Sequence, residues 1–475
     1  MFDLNKPYCF YFNEISRIPH GSFNEEAISE YLVDFAKKKG LRYVKDEHNN
    51  VVIYKDGSKG YENSEPLILQ GHMDMVCEAN KDTVFDFKKD PLVLRTDGDW
   101  LMATGTTLGA DDGVALAYIL AILDDDNIPH PPLECCFTVQ EEVGLLGARK
   151  LDKDLFKAKR MICLDHEDET DTCTSTSGGR NVQSFFKGNI INNSKESYRL
   201  FVSGLKGGHS GTLINDNRGN ANKLAARMLK EFLNNGAAIN IVAIDGGSKE
   251  NAIPRECEIF FASDDIDKIA EVFEKTSAGI RNEYAVSEKE LSITLEKTSV
   301  SEKRFDEKTS ADIIRFLFLA PNGFKEKSPL IEGLTVTSLN LGVIKTDDDT
   351  ICVTHSVRSV FDSSRDELSD EIKTLAEMCG GTSRFSADYP GWNFSERSDL
   401  RDKLRSALMK VSGKELRTSA VHGGNECGVF SSFGVEDIIS YGPSMEDIHT
   451  PKERLDLRSF DRVYEILLEV LKNCR

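Results

Sequence analysis

Five short segments carry clusters of His, Asp and Glu, and four of them lie downstream of apolar runs. LQGHMDMV carries His72 and Asp74 two residues apart. On an extended strand such residues face the same side. The imidazole can then face a metal while the carboxylate lies close enough to orient the ring or a water. TLGADDGVALA sets Asp111 and Asp112 between Gly109 and Gly113. Glycine permits the tight turn from a strand end into a helix. A carboxylate there can bridge two cations, although Asp is also a good helix cap in its own right. FTVQEEVGLLGA carries Glu141 and Glu142. Neighbours at a strand end point in different directions, so one can bind a metal while the other faces a water. In MICLDHEDE, Asp165 is the first polar residue after the apolar run and the best ligand candidate. His166 reads equally as a ligand or a turn residue, and the acids after it face solvent. SYGPSMEDIHTPKERL holds His449 in a Gly/Pro loop, available for coordination but also readable as an ordinary loop histidine.

Two histidines and several carboxylates without cysteine suit Zn²⁺, Mn²⁺ or Co²⁺ in a mixed N/O site, not a structural Cys zinc site. Two divalent cations against Asp111, Glu142 and Asp165 leave one positive charge, which a hydroxide would balance. Metal binding brings the pKa of water from about 15.7 to about 7 and so makes a nucleophile at neutral pH.

Four elements deliver these groups. The apolar runs Leu67–Leu69, Leu133–Val139, Met161–Leu164 and Ile438–Tyr441 each end in a polar cluster. In an open parallel sheet, ligands bind beyond the carboxyl ends of the strands. The expected fold is therefore α/β, with a doubly wound, mostly parallel sheet. The first helix is expected from a capping box of Ser22 and Glu25, an apolar face of Ile28, Tyr31, Leu32 and Phe35, and a stop at Gly40. An amphipathic tail (Phe460, Val463, Ile466, Leu467, Val470) is expected to pack on the same sheet. Between residues 186 and 390 the strands lengthen and alternate more strictly. There Asn240, Ile244, Phe261 and Ser263 recur as Asn340, Ile344, Phe361 and Ser363, and both segments read strand, turn, strand, acidic helix. The expected layout is discontinuous: residues 1–185 and 391–475 form the catalytic domain, with an α+β domain, 186–390, inserted.

The chain has 475 residues and a formal net charge of −20, with 40% hydrophobic and 29% charged residues. That balance opposes binding to nucleic acid or an anionic membrane, which require a basic surface. No apolar run approaches the roughly 20 residues of a membrane helix, and the start MFDLNKPYCF lacks the features of a signal peptide. Eleven scattered cysteines without CxxC read as reduced thiols. A cytoplasmic location is the expectation. No G-x-S-x-G elbow or EF-hand spacing is present, which sets aside a serine hydrolase and a calcium store.

The ordered set GHMDMV, LGADDGVA, TVQEEVGLLGA, LKGGHSG, ENAIPRE and GPSMEDIHTPKE, with RIPHGS near the start and YPGW near residue 390, resembles the co-catalytic di-zinc exopeptidases. Within them it is most similar to the aminoacyl-histidine (β-Ala-His, cytosolic nonspecific) dipeptidase branch. The resemblance covers essentially the whole chain. It implies that His72, Asp111 and Asp165 hold one metal and Asp111, Glu142 and His449 the other, with Asp111 bridging. Asp74 would orient His72, and Glu141 would be the general base and then the acid. The inserted domain would be a lid and dimer surface. There His209 would stabilise the oxyanion, and Asn251 and Arg358 would bind the substrate's backbone and terminal carboxylate; His422, outside that domain, would be another residue on the substrate side. The implied substrates are dipeptides, Xaa-His in particular; an amidohydrolase acting on N-acyl amino acids is the alternative. Departures from the branch include Asp112 where Asn is usual, LDHEDE for an Asp-Ser-Glu run, TSTSGG for a Cys-containing turn and Asn425 in VHGGNECG. None removes a ligand.

Overall fold

The structure is a computed structural model that describes residues 2–331 and 333–475. The chain divides into two compact units: residues 1–176, 392–420 and 425–475 form the first, and 177–391 with 421–424 the second. The crossing after residue 176 falls earlier than the expected 185. The strand Gly178–Lys187 pairs along its length with Thr350–Ser359 and so belongs wholly to the second unit's sheet.

The first unit is built on an eight-stranded sheet. Its order is Arg42–Lys45, Val51–Lys55, Leu133–Thr138, Leu67–His72, Arg160–Cys163, Asp437–Ser440, Asp171–Thr176 and Arg417–Val421. The four central strands are the four apolar runs read from the sequence, and they pair in parallel. Val51–Lys55 and Asp171–Thr176 flank them antiparallel. The sheet is therefore mixed, and the expectation of a mostly parallel one holds only at its centre. The central strands Leu67–His72 and Leu133–Thr138 are buried at every position, as parallel strands covered on both faces are.

The helix Ala110–Asp124 is buried from Val114 to Leu123 and lacks a polar stripe, so it lies inside the unit. Its C-terminal carbonyls accept from Lys55 Nζ at Ile122 (3.2 Å), Leu123 (3.1 Å) and Asp125 (3.0 Å), a cation at the negative helix end. The tail helix Leu457–Lys472 buries Phe460, Val463, Ile466, Leu467 and Val470 in the same core. A helix not expected from the sequence, Pro7–Ile15, precedes the one at Glu26–Lys39. Gly40 ends the latter in the left-handed conformation, φ +67°. The capping box does not form: no side chain caps this helix, and Ser22 and Glu25 are used elsewhere.

The second unit is α+β. Its nine-stranded sheet pairs antiparallel throughout the registers described. The helices Ala221–Asn234, Glu307–Leu319 and Asp362–Met378 bury apolar faces in its core. The two segments spaced 100 residues apart are both hairpins followed by a helix, but Asn240 opens its strand while Asn340 lies inside Thr335–Asp347.

Candidate metal centre

His72 ends the central strand Leu67–His72 and is almost fully buried. Its Nδ1 lies 2.9 Å from the main-chain oxygen of Asp74. A carbonyl only accepts, so Nδ1 carries the proton and a neutral ring leaves Nε2 free to coordinate. That Nε2 faces Asp111 Oδ1 at 3.0 Å, while Asp111 Oδ2 faces His449 Nε2 at 3.1 Å. Asp111 sits at the start of the helix Ala110–Asp124 with non-helical dihedrals, as does Asp112, which turns its carboxylate out of the helix toward both rings. Glu142 Oε1 lies 2.9 Å from His449 Nε2 yet makes no hydrogen bond. Among the described residues, one ligand atom each from His72, Asp111 and Glu142 gathers within 4.8 Å.

The hydrogen-bond partner of His72 Nδ1 is the main-chain oxygen of Asp74; the Asp74 carboxylate Oδ1 stands 3.6 Å from that nitrogen. The carboxylate instead accepts from Glu141 N (2.9 Å) and Glu142 N (3.3 Å) and from Ser22 Oγ (2.8 Å). Asp74 therefore holds the turn that presents both glutamates. Glu25, also buried, accepts from Gln140 N at 3.2 Å in the same turn. Ser22 and Glu25 thus serve the centre, a use hidden in the sequence because their spacing also fits a helix cap.

Electrostatics follow from packing acids together. Burial raises the Glu141 carboxyl well above the usual range. Burial and the Asp111 charge push Asp165 up to about 6, which sets it in the same acidic neighbourhood. Asp111 and Glu142 hold His449 up to about 10. His166 turns away to Asp171, 3.3 Å from Oδ2. Asp112 accepts from His72 N at 3.1 Å, and burial raises its carboxyl well above the usual range. Two further buried glutamates support the region and were not expected from the sequence. Glu426 accepts from Thr138 Oγ1 (2.6 Å) and Gln70 Nε2 (2.5 Å). Glu453 accepts from the main chain at Leu108–Asp111.

The second unit carries the remaining expected residues. His209 Nδ1 accepts from Gly211 N (3.3 Å) and Thr212 N (3.2 Å), so a neutral ring bears its proton on Nε2 and can donate there. Asn251 is exposed, accepts from Ser210 N at 2.9 Å through its main-chain oxygen, and shares a cavity of about 600 Å³ with His209. Arg358 is buried, donates from Nη1 to Tyr389 Oη at 3.1 Å and leaves Nε without a partner. His422 Nε2 lies 2.7 Å from Ser338 Oγ and its Nδ1 has no partner. Burial, then Arg358, then His209 bring His422 down to about 3. Arg358 is the cation among these four groups, and it and His209 lie close enough to His422 to act on its charge. Tyr389, from the YPGW segment, would touch a Cβ placed on either Gly179 or Gly424, the nearest atoms being 2.4 Å away in each case. The glycines of TSTSGG and VHGGNECG make room for its ring.

The donor set fits divalent cations. A carboxylate with each oxygen opposite one imidazole, and a glutamate oxygen close to a histidine without a hydrogen bond, are what shared ligands need. Residues 68–473 match the model of peptidase family M20/M25/M40. The cytosol non-specific dipeptidase of Escherichia coli K12 is 34% identical over 472 residues, 98% of this chain and 97% of that protein. The solved aminoacylhistidine dipeptidase of Vibrio alginolyticus is 33% identical, with a TM-score of 0.89, covering 98% of this chain and 96% of that one. Aminopeptidase PepT of Bacillus cereus shares the fold at 16% identity and a TM-score of 0.57, covering 100% of this chain and 99% of that one. Matched by that family model over most of its length and 34% identical to a dipeptidase along 98% of it, the chain belongs to the M20/M25/M40 family of metallopeptidases.

Proposed function

We propose that this protein is a two-metal dipeptidase that hydrolyses dipeptides, Xaa-His among them, in the cytosol as a homodimer assembled through its second unit. The observation that carries the metal reading is Asp111, whose two oxygens face His72 Nε2 and His449 Nε2 separately. His72, Asp111 and Asp165 hold one ion, and Asp111, Glu142 and His449 the other. Zn²⁺ suits this set best, and Mn²⁺ or Co²⁺ fits the same ligands. Such ions, when bound, polarise the scissile carbonyl and acidify water.

The rest falls to side chains. Glu141, half-buried and with a raised proton affinity, takes the proton of the attacking water and delivers it to the leaving amine. Asp74 keeps Glu141 in place through the amide it accepts from. His209 donates from Nε2 to the developing oxyanion. Arg358, with His422 and Asn251, binds the substrate's terminal carboxylate and backbone; an arginine can do so with two parallel bonds. A clamp on the carboxyl end favours short peptides, in keeping with the dipeptidase names of the two similar proteins. The cytosolic location rests on the first of those names, and among the described residues no helix is long and apolar enough to cross a membrane.

The test is a panel of Gly-Gly, Xaa-His and β-Ala-His, with a tripeptide and N-acetyl amino acids as controls, given to metal-free protein titrated with Zn²⁺, Mn²⁺ or Co²⁺. Metal-dependent cleavage of the dipeptides is expected. Cleavage of the N-acetyl amino acids alone would move the assignment to an amidohydrolase. Glu141→Ala is expected to bind metal and lose turnover by a factor of about 10²–10⁴, the usual worth of a general base; near-normal activity would sink the mechanism.

A further inference from the structure

Glu453 lies four residues beyond His449 in the segment HTPKE and is 2% exposed. Its carboxylate takes four consecutive main-chain donors. Oε2 accepts from Leu108 N (2.7 Å) and Gly109 N (3.1 Å), and Oε1 from Ala110 N (2.8 Å) and Asp111 N (3.4 Å). The helix Ala110–Asp124 begins here from Gly109, a left-handed residue (φ +67°) with no side chain to cap it. The first N–H groups of a helix need acceptors and carry the positive end of its dipole. Glu453 supplies both needs from another part of the chain. Its own segment is a tight turn: Glu453 N donates to Thr450 O (3.0 Å), Lys452 N to Thr450 Oγ1 (3.1 Å), and Thr450 Oγ1 to Asp447 O (2.7 Å). His449 sits within that turn in the left-handed conformation, φ +61°. One side chain thus fastens the segment bearing His449 to the segment bearing Asp111, whose facing atoms are 3.1 Å apart.

We propose that Glu453 is a positioning residue that sets the affinity of one metal ion selectively, the ion assigned to Asp111, Glu142 and His449. Two of that ion's three ligands stand on segments that Glu453 joins. Of the other ion's ligands only Asp111 does, because His72 and Asp165 end or follow the strands Leu67–His72 and Arg160–Cys163. The inference rests on the two-metal reading above.

The experiment is calorimetric titration of the metal-free full-length chain with Zn²⁺, for the wild type and Glu453→Gln. The amide keeps the volume but turns one acceptor into a donor facing the helix N–H groups. One ion is expected to bind within about threefold of wild type and the other 10–100-fold more weakly, the usual cost of losing a group that supports ligands. Excess Zn²⁺ should restore kcat while the dipeptide KM stays unchanged, a split that general loosening of the fold would not give. Unchanged affinities for both ions, or equal weakening of both, would overturn the proposal. Should Glu453→Gln fail to fold, Glu453→Asp keeps the charge and draws it back by one methylene; selective weakening is again expected and equal weakening overturns it. A wild type that binds fewer than two ions would overturn the two-metal reading and this inference with it, whereas unselective loss in the variant would overturn this inference alone.

Discussion

Replacing Asp74 by Asn tests the claim that its carboxylate holds the Glu141–Glu142 turn. The substitution is isosteric, so packing is kept and only the hydrogen-bond chemistry changes. Asp74 accepts from Glu141 N, Glu142 N and Ser22 Oγ at 2.9, 3.3 and 2.8 Å. An asparagine has one acceptor oxygen. With it toward Glu141, the amide NH₂ meets Ser22, whose hydroxyl can rotate to accept, and Glu142 N, which cannot. With it reversed, Glu141 N is the orphan. One buried N–H is lost either way, at about 1–3 kcal/mol, and the surviving bonds drop from charge-assisted to neutral at about 1 kcal/mol each. The sum is about 3–5 kcal/mol. Freed of its anchor, Glu141 shifts, and a displacement of about 1 Å costs roughly 100-fold in rate. Urea unfolding of the metal-free protein reads the first number through a lower midpoint at unchanged slope, and kcat at saturating metal reads the second. Ser22→Ala is the comparison: it leaves both amides satisfied and should cost about 1–2 kcal/mol with kcat near wild type. An Asp74→Asn protein with the wild-type midpoint and kcat would refute the reasoning.

Two further outcomes follow from the same geometry. A Cβ on Gly71 would stand 2.3 Å from Ala115 Cβ and 2.6 Å from Asp112 Oδ2. Gly71→Ala should therefore destabilise the protein by at least the 1–3 kcal/mol typical of overpacking and weaken metal binding at His72, next in the strand; thermal unfolding with and without Zn²⁺ checks both, and wild-type values would count against the close packing. In the second unit, burial brings His355 down to about 3, and neither of its ring nitrogens has a partner. A histidine depressed on folding takes up its proton first in the unfolded chain, so stability is lost as pH falls from about 6.5 toward the folded value. At about pH 5 the loss is about 2 kcal/mol. His355→Leu should remove that part of the pH dependence between about pH 7 and 5, and parallel unfolding profiles for the two proteins would contradict it.

The legible parts of the fold were those set by local pattern. The four apolar runs became the four parallel strands because a strand covered on both faces must be apolar along its length. The tail helix followed its 3.6-residue period. The antiparallel flanks were not legible, since strands at a sheet's margin carry no mark of direction. Pro7–Ile15 was missed because its apolar residues are read only against the buried helix Ala110–Asp124 that they cover. The capping box at Ser22 and Glu25 illustrates a competing use: the same side chains that can close a helix are drawn to Asp74 and to Gln140 N.

For the site, the sequence alone determined which groups could hold metals, because ligand chemistry belongs to residue type and the end of an apolar strand is a local feature. His72, Asp111, Glu142, Asp165 and His449 were all named on that basis or by resemblance. Only the tertiary structure decided how they are held. Asp74 reaches His72 by its main-chain oxygen and spends its carboxylate on the glutamate turn, which follows from where two strand ends meet. Glu453 reaches a helix start more than 340 positions away in the chain. Such supports leave no spacing in the sequence, since a hydrogen bond to a main-chain N–H asks nothing of the residue that donates it.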